Sequence, residues 1–307
     1  MKKIAKIFGW LVIVILFAYG ITNLEREAFS QAFNMPWHTV LCLIILQGIS
    51  FSLVTLQYKW LISNCSYKIS YFNMFSINLA GKFMESITPS IKAGGESVKI
   101  LLLKKELKIE YPQIFAISVA QKTCSIIIYL LLVAGAFIYV DFTFELSLNG
   151  PIIFFVILLT ALVVFKFLLN KYYAIVVSKI FLVISHLKKF DVKLIVAVLV
   201  SNLVVWGLYP LKFLLIANFF GFSLDIWQIM MVVYLADGIA MLPTTPGSVG
   251  TFEGGMGVML SAQGVDFGAA FASAVIFRFF TFWALMLFSA GFISVTKLFG
   301  YNKNISL

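Results

Sequence analysis

The sequence predicts an all-α integral membrane protein, a polytopic helical bundle of about six full spans plus two re-entrant broken-helix hairpins in an inverted-topology repeat. Composition is the first reason. Of 307 residues, 62% are hydrophobic and 12% charged, and several apolar runs reach the roughly 20 residues that cross a bilayer. The second reason is a pair of Pro/Gly-broken stretches within that apolar sequence, ITPSIKAGGESV at 87–98 and LPTTPGSVGTFEGG at 242–255. In each, a proline (Pro89, Pro246) precedes a glutamate (Glu96, Glu253) by seven residues. Unpaired backbone is not tolerated in lipid, so such breaks are expected to line a protein cavity. Matched breaks in two halves of a chain point to a transporter binding site. The third reason is the distribution of charge between the apolar runs, taken up below.

The chain opens with MKKIAKIFGWLVIVILFAYGI, basic and then apolar as in a secretory signal, but without an A-x-A-like cleavage site, and it reads as an uncleaved first span near 7–22. Further spans are expected near 39–56, 112–140, 150–169, 193–218 and 268–296. The hairpins fill the intervals 70–100 and 226–262, two complete crossings in place of each hairpin being the structural alternative. The stretch from Lys171 to Lys193 mixes lysines and apolar residues at near-helical spacing. It reads as an interfacial helix lying on an anionic leaflet.

Lysines in the segments 2–6, 59–68, 92–108, 166–193 and 297–303 all fall on one side of this arrangement, with Glu25, Glu27, Asp141, Glu145, Asp225 and Asp266 opposite. The positive-inside rule then puts both termini in the cytoplasm of a multi-pass cell-membrane protein. It sends the first hairpin in from the inside and the second from the outside. The order span, span, hairpin, span thus recurs with opposite orientation over about 1–140 and 150–296, within a single transmembrane domain covering 1–307. Lys122 follows Glu96 by 26 residues and Arg278 follows Glu253 by 25, which matches the two halves again.

Other classes are excluded on composition and motif. The net charge of +10 is spread over short loops instead of one stripe, so no nucleic-acid partner is expected. Three cysteines (Cys42, Cys65, Cys124) with no metal spacing read as reduced, packed thiols. His38 and His186 are solitary. Without HExxH, GxSxG, Walker or dinucleotide fingerprints, no cofactor and no metal are expected. A bundle of six to eight crossings uses the whole chain, leaving no room for an added catalytic domain of on the order of 100 residues.

Charges inside apolar spans are costly and are functional candidates by default. They are Lys82, Glu85, Glu96, Lys99, Lys122, Asp237, Glu253 and Arg278. Lys82 and Glu85, three residues apart, can neutralise each other on one helix face, as can Glu96 and Lys99. Lys99 also stands behind a glycine-rich break, where free N–H groups and a lysine suit a phosphate. Arg278 has no charged neighbour in sequence and needs a partner across helices, Glu253 or Asp237. Its planar fork also suits a lipid phosphate. Lys166 and Lys212 stand near span ends, where snorkelling to the interface accounts for them.

GGESVKILLLKK at 94–105 and LPTTPGSVGTFEGGMGVML at 242–260, followed by the arginine of VIFRFFTFW, resemble the lysylphosphatidylglycerol synthase transmembrane region, also called the flippase-like domain family. The resemblance spans essentially the whole chain. It carries over Gly94, Gly95, Glu96, Lys99, Pro246, Gly247, Gly250, Glu253 and Arg278 as substrate-site positions, to which the residue reading adds Lys122 and Asp237. Bifunctional members of that family join the membrane domain to a cytoplasmic aminoacyl transferase, and the membrane part is associated with moving lysylphosphatidylglycerol outward, conferring resistance to cationic antimicrobial peptides. This sequence ends at Leu307, so lysyl transfer is not expected of it. The resemblance implies a stand-alone lipid translocase for a phosphate-bearing lipid, aminoacylated or polyprenyl-linked. A separately encoded lipid-modifying enzyme is a possible partner. A lysyltransferase-type membrane enzyme and a small-solute secondary transporter are the rival readings.

Overall fold

The structure, a computed structural model, describes residues 34–88, 93–144, 190–240 and 248–298. The expected spans near 7–22 and 150–169, most of the Lys171–Lys193 segment, and Pro89, Pro246 and Gly247 lie outside the described residues. Within them the chain is helical, in nine segments: α1 (Trp37–Asn64), α2 (Tyr71–Ile87), α3 (Ala93–Leu107), α4 (Tyr111–Phe144), α5 (Val192–Phe220), α6 (Ile226–Ala240), α7 (Thr251–Ser261), α8 (Phe267–Arg278) and α9 (Ala284–Leu298), with a π-turn, Phe279–Trp283, joining the last two. Four stretches are long and apolar enough to cross a membrane: Trp37–Asn64, Tyr111–Ala136, Val192–Phe220 and Phe267–Ser294. All four expected spans in the described residues are therefore present as helices, and at several helix starts a capping side chain is the signal that sets the end.

Those signals are local. Ser70 starts α2 by accepting the Asn73 N–H at 3.0 Å, Asp191 starts α5 by accepting that of Lys193 at 3.2 Å, and Asp266 starts α8 by accepting that of Ala269 at 3.1 Å. Each oxygen satisfies a donor the first helical turn leaves free. Gly221 ends α5 in the left-handed region at φ 74°, the usual glycine stop.

At the places of the two expected hairpins, α2 packs on α3 and α6 on α7. Their arms have 17, 15, 15 and 11 residues, about 17–26 Å at 1.5 Å per residue, against a hydrocarbon core of about 30 Å. In the first hairpin the arms touch backbone to backbone. A Cβ on Gly95 would stand 2.5 Å from the Gly81 carbonyl oxygen, and one on Gly81 would stand 3.0 Å from that of Gly95. Away from the tip, Asn73 Nδ2 donates to Glu106 Oε1 at 2.7 Å. The second hairpin closes at the corresponding place, where Gln228 Nε2 donates to Gln263 Oε1 at 2.9 Å.

The two halves pack alike. Within each, the long first helix packs on the first hairpin arm (α1 on α2, α5 on α6), and the second arm packs on the following span (α3 on α4, α7 on α8). Across them, each hairpin leans on the last span of the other half, α6 on α4 and α2 on α9. Tyr139 stacks on Trp227 and Phe72 meets Phe292 edge-on. Helices α1 and α5 face each other through Gln57 and Ser201 at one level and through Gln47, Ser50 and Lys212 at another. The rise along one accompanies the fall along the other, so these counterparts run antiparallel.

Gly95→Ala is expected to cost about 1–3 kcal/mol of stability, because the added carbon meets backbone that cannot swing aside. Gly48→Ala, in α1 with open space around it, is expected to be neutral or to stabilise by about 0.5–1 kcal/mol. Thermal unfolding of both variants in detergent checks the difference.

Candidate functional site

Each hairpin places its glutamate at the start of the second arm, and each glutamate finds a cation on the following span. In the first half, Glu96 lies in the opening turn of α3. Its Oε1 stands 2.6 Å from Lys99 Nζ and 3.1 Å from Lys122 Nζ. The hydroxyl of Tyr58, from α1, donates to Glu96 Oε2 at 3.1 Å and accepts from Lys99 Nζ at 3.2 Å. Lys99 also sits 4.6 Å above the Tyr58 ring. Three helices thus meet at one carboxylate. Two lysines share it, and their sum leaves one positive charge. Lys99 is buried, whereas the Lys122 side chain is 42% exposed. Beneath, Gln121 Nε2 donates to Gln57 Oε1 and Gln57 Nε2 to Ser201 Oγ, a polar line that reaches α5.

In the second half, Gly250 precedes α7 with φ 81°, a backbone state that a side chain would strain. Its N–H donates to Glu253 Oε2 at 2.7 Å, so the glutamate is held by the turn it begins. Glu253 Oε1 lies 4.0 Å from Arg278 Nε, with both side chains buried. The guanidinium is stacked between rings, 4.6 Å from Phe252 and 4.4 Å from Phe282. Just before α7, Ser248 Oγ donates to the Ala240 carbonyl and Thr251 Oγ1 to that of Ser248. Side chains therefore hold backbone groups at the hairpin break.

The structure brings Glu96, Lys99 and Lys122 together as one cluster, and Glu253 with Arg278 as another. Glu253 is the ion-pair partner found for Arg278 of the two expected. Asp237 is buried on α6, and its Oδ2 has no hydrogen-bond partner among the described residues. Lys82 and Glu85 form the expected pair at 3.1 Å. Lys82 also lies 5.3 Å from the Phe282 ring, so Phe282 of the second half is shared by cations from both. Gly94 and Gly95 face Thr88 and Gly81 across the hairpin, where the absence of a side chain lets the arms close.

Two readings of the sequence need correction. Lys212 does not snorkel: it is 1% exposed, in the middle of the α1–α5 contact, where Nζ donates to Gln47 Oε1 at 2.8 Å and Ser50 Oγ at 2.9 Å. The apolar run around it hid a polar seam whose other side is on α1. Cys42 is exposed, unlike Cys124, although all three cysteines are free. Tyr58 was missed as a site residue, because an aromatic residue in an apolar span carries no sign that its hydroxyl reaches a carboxylate 38 positions away. Among the described residues, no group of His, Cys, Asp and Glu could hold a metal ion.

A family model described as the lysylphosphatidylglycerol synthase TM region matches residues 5–289. Similar proteins include a UPF0104 membrane protein of Methanothermobacter thermautotrophicus, 26% identical over 279 residues covering 80% of this chain and 82% of the relative. Another is a UPF0104 membrane protein of Pyrococcus horikoshii, 21% identical over 306 residues, covering 89% and 90%.

Glu96→Gln is expected to destabilise the protein more than Glu85→Gln. The first leaves two lysines without their counter-charge and puts an NH2 donor where one acceptor oxygen was, at about 1–3 kcal/mol for a buried group left unpaired, whereas the second breaks a partly exposed i,i+3 pair worth about 0.2–0.5 kcal/mol. Paired denaturation curves of the two variants in one detergent decide the order.

Proposed function

Since the chain belongs to the lysylphosphatidylglycerol synthase transmembrane-region family, we propose that it is a flippase-like lipid translocase of the cell membrane that moves a phosphate-bearing lipid between leaflets. The observation that carries the reading is the imbalance at Glu96. One carboxylate faces two lysines, and the more accessible of them, Lys122, is placed to give its share of that carboxylate to an incoming phosphate. The exchange needs no new charge in the membrane. Lys122 moves from one anion to another, and Glu96 keeps Lys99.

The matched hairpins support alternating access around an inverted repeat. Each rests on the last span of the other half, so a tilt of one half against the other moves both hairpins at once. On this reading Glu253 and Arg278 form the counterpart of the first cluster, closed as an ion pair in this state. A guanidinium presents two parallel donors to a phosphate, and Arg278 receives the headgroup when Glu253 releases it. Both termini are cytoplasmic on the lysine distribution. The aminoacylated or polyprenyl-linked nature of the lipid, and any role in resistance to cationic peptides, follow from family likeness and belong to this proposal.

In proteoliposomes with fluorescent phosphatidylglycerol in both leaflets, dithionite quenching in the presence of the protein is expected to exceed the half-signal limit of protein-free vesicles. Lys122→Gln and Arg278→Lys, which keeps a charge beside buried Glu253 but loses the planar two-donor fork, are each expected to slow that excess by tenfold or more with thermal stability retained. Unchanged rates in both stable variants would remove the phosphate-handling role, and formation of lysylated lipid from lysyl-tRNA would favour the enzyme reading instead.

A further inference from the structure

Arg278 ends α8, and a π-turn, Phe279–Trp283, follows it directly. The turn carries one five-residue step, the Ala284 N–H donating to the Phe279 carbonyl. Such a turn leaves carbonyls that regular helix bonding no longer serves, and single π-turns within α-helices are frequent at functional sites. At this turn two carbonyls accept from side chains. Thr281 Oγ1 donates to the Phe277 carbonyl at 2.8 Å. Gln47 Nε2, from α1, donates to the Thr281 carbonyl at 3.1 Å. The other end of the same amide, Gln47 Oε1, accepts from Lys212 Nζ on α5.

A chain of donors therefore runs from a fully buried lysine, through one glutamine, into the turn beside Arg278. Lys212 has no acid within ion-pair distance among the described residues. A buried lysine held only by neutral groups is costly, charged or neutral, a cost that α1–α5 packing alone does not explain, since Gln57 and Ser201 join the same helices without one.

We propose that Lys212 and Gln47 are positioning residues for Arg278: Gln47, oriented by Lys212, grips the Thr281 carbonyl and keeps the extra residue of the π-turn in place, which holds Arg278 against the Phe252 and Phe282 rings. Relaxation of the turn to α geometry would shift the register between α8 and α9. Because α8 packs on α7 and α9 packs on α2, Arg278 and Phe282 would then lose their stack. The inference rests on the phosphate-handling reading only for what Arg278 finally contacts; the positioning itself is independent of it.

Arg26 and Arg278 are the two arginines of the sequence, so selective 15N-arginine labelling in detergent gives two Nε–H signals, assigned by Arg26→Lys. Ring currents from Phe252 and Phe282 displace the Arg278 signal. Gln47→Glu retains a partner for Lys212 but cannot donate to the Thr281 carbonyl, and Lys212→Met keeps the volume without the donor. Both are expected to move the Arg278 signal at least halfway to the Arg26 position. Gln57→Leu, which weakens the same α1–α5 contact away from the turn, is expected to leave it in place. An Arg278 signal unmoved in Gln47→Glu and Lys212→Met, or moved equally in Gln57→Leu, would overturn the proposal. Titration with phosphatidylglycerol separates the two ideas: a wild-type Arg278 signal indifferent to that lipid counts against the phosphate reading, while the variant comparison alone judges the positioning.

Discussion

A bilayer interior offers no water to a charge or to an unpaired peptide group, and the packing of this protein follows from that constraint. A hairpin broken by proline and glycine exposes peptide groups at its break, so it must be wrapped by protein. The wrapping is reciprocal: α1, α3 and α4 converge on Glu96, α7 and the last span close on Glu253, and each hairpin lies against the far half of the chain. Charges follow the same rule. Glu96, Lys99 and Lys122 neutralise one another in part, and Arg278 spreads its charge over Glu253 and two aromatic faces.

The halves are alike in layout and opposed in charge. Around Glu96 cations are in excess, whereas the second hairpin holds two buried carboxylates, Asp237 and Glu253, against Arg278. Lys82 and Asp237 occupy comparable places on the two first arms, and only Lys82 has a compensating residue one turn along its own helix. On the proposed lipid-translocase reading, equal scaffolds with unequal charge would grip a headgroup differently in the two halves.

Much of this was legible in the sequence because bilayer thickness imposes long apolar runs and because broken segments cannot be hidden in lipid. The four spans, the two broken helix pairs, the Lys82–Glu85 pair and the need of Arg278 for a carboxylate across helices follow from those two facts and from charge neutrality, while the choice of Glu253 over Asp237 came only with the structure. What was not legible depends on rotation about helix axes. Tyr58 and Gln47 look like ordinary residues of an apolar span, and Lys212 looks like a lysine near an exit, until α1 and α5 are set face to face. Gly94 and Gly95 stood beside a candidate phosphate site in sequence, but their backbones serve the closeness of two arms. The π-turn at Phe279–Trp283 has no pattern of its own in FFTFW, and the Gln47 amide that meets its Thr281 carbonyl lies 234 positions away.

The contact between α2 and α9 also has a temporal side. At about 5–20 residues per second, the ribosome needs roughly 10–40 s to add the about 190 residues between the end of the first hairpin and the end of α9. During that interval Phe72 and Lys82 have been made but the aromatic surface that will cover them has not. Until then the flank of the first hairpin that carries Phe72 and Lys82 lacks its final cover, and Lys82 has Glu85 on its own helix. The order of synthesis therefore makes the N-terminal half a dependent partner, and assembly is completed only when the last helix arrives.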